Sequence, residues 1–450
     1  MRSAILTTAV FAICVVALLG ALPLWLDEIL QLSETRDTST AEMIRRLPRN
    51  SGAAPLGYLV QNASLRVTGY GVRRARLPAA IFGVLSVFAV ALLAREMGLR
   101  HAWLAAILFA AFPETLRYAT ESRIYSQALF FSIVATWLYL RLVKKPSWTL
   151  TAALALALIA AIYTNLYTIF VGLAMLIWSA LCRDRNTAVR GSVALAAACA
   201  AFLPWYLWSK AAWISGITQE GFQFSFSAKT PLMIFREAAG AGYWGSGLLL
   251  ILFAVALIAP RDGSHRRSLL ALLILVPLLG TLGTDAAAGY FIAARQFIWI
   301  LPAAAILAAI ALESPTVSNR SAFGRRFLAL VTVALLGVCI RQTLVFFRAP
   351  HENWQAAADA IALKARDGAC VEVAPVDSVR LYEFFRPEIG RAACSADRRA
   401  ADPVVLAITP VTAPEQREAA IARLKSSGYQ QQSESDTGLS KILIFRRTAI

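Results

Sequence analysis

The stretch "AILTTAVFAICVVALLGALPLWLDEILQL", residues 4–32, decides how this chain is read. Its first part, 4–22, carries no charged side chain and is long enough to cross a bilayer core as a helix. Pro23 and Trp25 follow, in the manner of an exit into the headgroup layer, and then two adjacent carboxylates, Asp27 and Glu28. The basic start and apolar run have the outline of a signal peptide. The run is long for one, so it is read as an uncleaved first span. A span that delivers the chain straight to a pair of acids raises the question of what those acids meet.

Outward from this stretch, apolar runs recur at 77–94, 102–117, 126–142, 149–163, 166–182, 191–209, 243–260, 268–285, 296–312 and 327–346. One span needs about 20 residues, so 149–182 divides at Tyr163-Thr164-Asn165. The expectation is an α-helical polytopic membrane protein with about eleven transmembrane helices. Composition agrees: 58% hydrophobic and 16% charged residues exclude an ordinary soluble globular protein.

Basic residues in short connections set the orientation. Arg95 and Arg100 lie in one, and Arg141, Lys144 and Lys145 in the next. Arg183, Arg185 and Arg190 follow, then Arg261, Arg266 and Arg267, and finally Arg320, Arg325 and Arg326. These connections fall on alternate turns of the chain, which puts them on the cytoplasmic side. Residues 23–76, 117–125, 164–165, 210–242, 286–295 and everything after 347 then face outward. The net charge of +17 follows largely from this asymmetry and calls for no nucleic acid.

The loop 23–76 resists that explanation. It carries eight arginines (Arg36, Arg45, Arg46, Arg49, Arg66, Arg73, Arg74 and Arg76) against five acids. Long loops can escape the charge rule, and a basic outer loop also suits a phosphate-bearing substrate or anionic lipid headgroups. Both readings stand.

The chain divides into a membrane body, 1–347, and a tail, 348–450, with near-balanced charge and no spanning run. Patterning in the tail predicts helices at 353–366, 378–386 and 415–427 and strands at 369–374, 404–409 and 441–446. That is a small extracytoplasmic α/β domain, with the polar segment 430–438 as a loop. Cys370 and Cys394 both lie in it, where a disulfide is plausible in an oxidising compartment. Cys14, Cys182, Cys199 and Cys339 read as packing residues in the spans. The three histidines, His101, His265 and His351, are scattered, which argues against a histidine metal site. Residues 38–47 of the first outer loop predict an interfacial helix. In the loop 210–242, Trp213, Phe222, Phe224 and Phe226 are either a wedge in the headgroup region or an ordinary aromatic belt.

Ionisable residues at the ends of spans are costly to desolvate and are functional candidates on that ground. Besides Asp27 and Glu28, "RYATESRIY", 117–125, packs Arg117, Glu121 and Arg123 into a short turn. Asn165 ends the fifth span, and Asp285 and Arg295 flank the connection 286–295. A carboxylate can take the proton of an acceptor hydroxyl, and arginines can hold a phosphate as negative charge grows on it. Together these parts fit transfer of a group from a lipid-linked phosphate.

The same residues carry a resemblance. The chain resembles the polytopic glycosyltransferases of the GT-C fold that use lipid-phosphate sugars. Within them it most resembles the protein O-mannosyltransferase-like branch, which includes the aminoarabinose transferases that modify lipid A. The likeness rests on "WLDEI" at 25–29, "APLGYLVQNASLRVTGYGVRRARLPAAIFGVLS" at 54–86, "YATESRIYS" at 118–126, "ARQFIWILPA" at 294–303 and, more weakly, "ENWQAAADAI" at 352–361. Two departures are Ala54, where many relatives have proline, and Asn165, where many have histidine.

The resemblance implies Asp27 as general base, with Glu28 assisting it or binding a substrate hydroxyl. The plain structural reading is that both acids cap a juxtamembrane helix. It implies Arg295 for the lipid phosphate, with Arg76, Arg117, Glu121, Arg123, Tyr125 and Asn165 as substrate-binding residues. Alternatively, Glu121 and Arg123 form a structural ion pair and Arg295 snorkels. The implied reaction is a single inverting displacement by an acceptor hydroxyl on a polyprenyl-phosphate sugar, at the outer face of a bacterial inner membrane. The acceptor is lipid A, a polysaccharide, a lipid or a protein. No cofactor is implied; paired acids can hold Mg²⁺ or Mn²⁺, but the resembled branch does not generally require one. The rival reading is a transporter or lipid flippase, which more typically shows internal repeats and charges near the midplane.

Overall fold

A computed structural model of the protein describes residues 1–49, 53–219, 230–258, 266–288, 293–313, 322–365, 369–394 and 402–447. Its residues cluster into two units. The first comprises Met1–Ala21 and Glu34–Ala349, and the second Leu22–Ser33 and Pro350–Ile450.

The first unit is a helical bundle. Among the described residues six helices are long and apolar enough to cross a membrane. They are α6 (Leu77–Glu96), α9 (Tyr125–Lys144), most of α12 (Arg185–Gln219), α15 (Arg266–Ala288), a run from Ala294 through α16 (Leu301–Glu313), and a last helix, Ala322–Arg348. Shorter apolar helices occupy α1 (Arg2–Leu18), α7 (Ala102–Ala111), α10 (Trp148–Thr164) and α11 (Ile169–Leu181). A further apolar helix pair, α13 (Thr230–Ala239) and α14 (Gly242–Ile258), is bent by 99° at its break. Gly240 and Gly242 make that elbow at φ +67° and +65°, a region that side chains disfavour. The protein is thus an integral membrane protein, and each expected span falls on a helix, although only six are full-length by themselves.

The departures from the expected spans have local causes. The run 102–117 stops at Ala111, because Phe112 is extended and Pro113 starts a separate helix, α8 (Pro113–Ala119). The division of 149–182 falls at Asn165, whose extended backbone ends α10 and whose side-chain oxygen accepts from Tyr167 N. Small residues let the helices approach closely: a side chain on Gly83 of α6 would collide with Ala119. Polar groups inside the bundle find partners across helices, as with Tyr163 Oη to Ala201 O at 2.6 Å and Trp178 Nε1 to Ser268 Oγ at 3.1 Å.

The outer loop expected at 23–76 is largely helical: beyond Ser33 it carries α3 (Thr40–Arg46), α4 (Pro55–Thr68) and α5 (Val72–Ala75). The interfacial helix expected at 38–47 coincides with α3. Phe222, Phe224 and Phe226 lie outside the described residues.

The second unit holds α2 (Leu26–Thr35) up to Ser33, together with a four-stranded sheet of order β1-β2-β4-β3. β1 (Cys370–Ala374) pairs parallel with β2 (Val404–Ile408), and β2, β4 (Lys441–Arg447) and β3 (Tyr429–Asp436) pair antiparallel. Helices Trp354–Lys364 and Pro414–Ser426 match the expected ones closely. The segment 430–438, expected as a loop, instead forms most of β3. It is an edge strand with mostly exposed side chains, so no apolar alternation marks it. Cys370 and Cys394 form a disulfide.

Candidate functional site

The acid pair stands in the first turn of α2, where backbone N–H groups lack intrahelical acceptors and negative charge is favoured. No serine, threonine or asparagine precedes Leu26 to cap it. Glu28 turns back instead, and its Oε2 accepts from Trp25 N at 3.4 Å. Glu352, 326 residues along the chain from Leu26, accepts from Leu26 N at 3.0 Å and from Trp354 Nε1 at 2.8 Å. Glu28 is fully buried and Asp27 half-buried. The structure therefore gives the two neighbours different surroundings: Glu28 serves its own helix start, and Asp27 is the more exposed residue, with its Oδ2 itself buried.

A second group lies in the helical body, around the turn between α8 and α9. Arg117 is the hub, with Nε 2.8 Å from Glu121 Oε1 and Nη1 3.5 Å from Glu114 Oε1. Its guanidinium also lies over the rings of Tyr118 and Phe346, 5.4 and 4.8 Å from their centroids. Glu121 is 5% exposed while the Arg117 side chain keeps 28% of its surface, so the buried carboxylate depends on the arginine for its charge partner. The arginine on which the geometry places Glu121 is thus Arg117. Arg123, half-buried, lies 5.6 Å from the Tyr125 ring centroid, and that ring packs 4.9 Å from Tyr118.

The turn is braced from behind. Ser122 Oγ is 3.0 Å from Ala75 O and 3.1 Å from Gln61 Oε1, while Gln61 Nε2 donates to Ala75 O at 2.7 Å. Both side chains are buried, and a side chain on Gly57 of α4 would collide with Ile124. These contacts register the turn bearing Glu121 and Arg123 to α4 and to the end of α5.

Arg76, the next residue after Ala75, is 1% exposed and donates to Leu19 O at 3.1 Å, tying the end of α1 to the start of α6. Asn165 uses its side-chain oxygen on Tyr167 N. Arg295 is half-buried in a 3-10 turn, Ala294–Ile300, that leads into α16. Among the described residues no three His, Cys, Asp or Glu side chains gather as a metal-holding group.

Sequence reading missed Glu352, Glu114, Gln61 and Ser122. Glu114 had a signal, since it is an acid inside an apolar run. Glu352 opens the stretch 352–361 that carries the weakest part of the resemblance, but nothing in the sequence links it to a helix start 326 residues earlier.

A polytopic helical body with a small mixed α/β unit gives the chain a GT-C-like fold. More particularly, its fold is similar to that of ArnT. Residues 52–208 match the sequence model of the dolichyl-phosphate-mannose-protein mannosyltransferase family. ArnT from Cupriavidus metallidurans, bound to undecaprenyl phosphate, is similar over 98% of this chain and 97% of its own, with a TM-score of 0.64 and 15% identity. Its apo form aligns equally well at 14% identity. The Archaeoglobus fulgidus oligosaccharyltransferase, tethered to an acceptor peptide, covers 85% of this chain and 59% of its own, with a TM-score of 0.51 and 14% identity. No curated protein sequence matches the chain.

Proposed function

We propose that this protein is an inverting glycosyltransferase that moves a sugar from a polyprenyl-phosphate donor to a hydroxyl of an acceptor in the cell envelope. One observation carries the reading: the fold matches, over nearly the whole of both chains, that of ArnT bound to undecaprenyl phosphate. Two features of this chain support it. Asp27 is a half-buried carboxylate at a helix start, and arginines lie on the elements that the resemblance singles out.

In this mechanism Asp27 accepts the proton of the acceptor hydroxyl as its oxygen attacks the anomeric carbon. The bond from that carbon to the phosphate oxygen breaks, and the polyprenyl phosphate leaves with both electrons of the bond. Attack opposite the leaving group inverts the anomeric centre. Arg295 holds the departing phosphate, where charge develops. Glu121, Arg123 and Tyr125 contact the sugar or acceptor, with Arg117 holding Glu121 in place. The reaction takes place at the periplasmic face of a bacterial inner membrane and needs no cofactor.

The test compares envelope glycoconjugates in cells expressing the wild type or Asp27→Asn at equal levels. Loss of general-base catalysis is worth roughly 10²- to 10⁴-fold in rate, so the transferred sugar should all but vanish. An unchanged product profile would overturn the assignment of Asp27.

A further inference from the structure

The excess of arginine between α2 and α6 is resolved by where those side chains stand. Glu42 pairs with Arg45 and Arg46, and Asp37 with Arg36. Among the described residues Arg66, Arg73 and Arg74 have no carboxylate within ion-pair distance. All three are exposed, and Arg66 donates to Thr40 Oγ1 at 3.2 Å. Between them on the chain lie two residues that a water-facing surface would not favour, Val67 at 87% exposure and Tyr70 at 36%. Arg36 lies over the Tyr70 ring, 4.1 Å from its centroid.

The level of this corner in the bundle is fixed by its neighbours. Arg74 is three residues before Leu77, the first residue of the spanning helix α6. Arg73 runs along the end of α1, so that a side chain on Gly20 would come within 2.7 Å of its Nε. A start and an end of two apolar helices thus meet here. Ends of membrane-spanning helices lie near the headgroup layer, where arginine side chains reach lipid phosphates.

We infer that Arg66, Arg73 and Arg74, with Val67 and Tyr70, form a binding site for the headgroups of anionic phospholipids of the bilayer. The cations attract the phosphate and the negative surface, while Val67 and the Tyr70 ring enter the layer below. This accounts for the basic charge that the orientation rule leaves unexplained, and it does not depend on the proposed reaction.

The test uses the full-length protein in an uncharged detergent, titrated with short-chain phosphatidylglycerol or phosphatidylcholine and read by native mass spectrometry of retained lipid. Each arginine near a charged surface is worth roughly fivefold in affinity, so R66S/R73S/R74S should lose about 100-fold for phosphatidylglycerol and little for phosphatidylcholine. Raising the salt should weaken phosphatidylglycerol binding to the wild type alone, a readout that survives if the triple variant fails to fold. The inference falls if the variant keeps the anionic preference, or if salt leaves the wild-type preference unchanged. It also falls if inorganic phosphate displaces the lipid as readily as the lipid binds, which would indicate a simple anion site.

Discussion

Arg117 stands between two acids, 2.8 Å from Glu121 and 3.5 Å from Glu114. Removing it strands both carboxylates in a buried setting, which costs far more than a surface pair is worth. Arg117→Met should lower the unfolding free energy by roughly 3–5 kcal/mol, seen as a large fall in the thermal midpoint of the detergent-solubilised protein. Arg45→Met, which removes an exposed partner of Glu42, serves as the control and should change little. Equal shifts for the two would deny Arg117 its role as hub. Single residues also mark how far sequence reading reaches. Asp27 and Glu28 are neighbours in the chain and stand out at the end of an apolar run. Their different surroundings do not, because Glu28 turns back to Trp25 N and Glu352 arrives from 326 residues beyond Leu26. Spacing says which acids are close in sequence, and only the fold says which are close in space.

Among elements, the apolar helices were plain in the sequence because length and hydropathy are local properties. Breaks inside them were harder to see. Pro113 ends one apolar run early, and in the segment expected as the loop 210–242 a further helix, α13, meets α14 at a 99° bend at Gly240 and Gly242. β3 was illegible for a different reason: an edge strand with solvent on its side chains needs no hydrophobic period, only backbone pairing with β4. In the C-terminal unit the helix Val379–Glu383 is clipped to the sheet by Tyr382, whose hydroxyl is 2.7 Å from Ser440 Oγ and whose ring packs 5.5 Å from that of Trp354. Burial pushes the Tyr382 hydroxyl up to about 12. In the unfolded chain the same group ionises near pH 10, so the unfolded state releases its proton first. Stability from this residue is complete below about pH 10 and falls as the pH rises toward 12. Wild type should therefore lose more stability across that window than Tyr382→Phe, measured by hydrogen exchange of the β2 and β4 amides in the intact protein. Parallel pH profiles would remove Tyr382 as the cause.

For the whole molecule, the division into units does not follow the chain. Residues 22–33 group with 350–450, while the segments on either side of them, 1–21 and 34–349, form the helical body. A chain ending at Ala349 lacks Glu352, Trp354 and the rest of the set with which α2 is placed. Limited proteolysis of that truncated protein should cut within 22–33 while the 34–349 fragment persists. Equal resistance of 22–33 in the truncated and complete chains would mean that this segment holds itself in place.

The tie between Leu26 and Glu352 also sets an order of events during synthesis. The acid pair leaves the ribosome early, yet the carboxylate that fixes its helix start is made 326 residues later. At about 5–20 residues per second, that interval is roughly 15 to 65 s. For that time the nascent chain carries its proposed base on a segment that lacks the carboxylate capping its helix start. The helix start that bears the proposed base is therefore completed only when the last hundred or so residues have been made and folded.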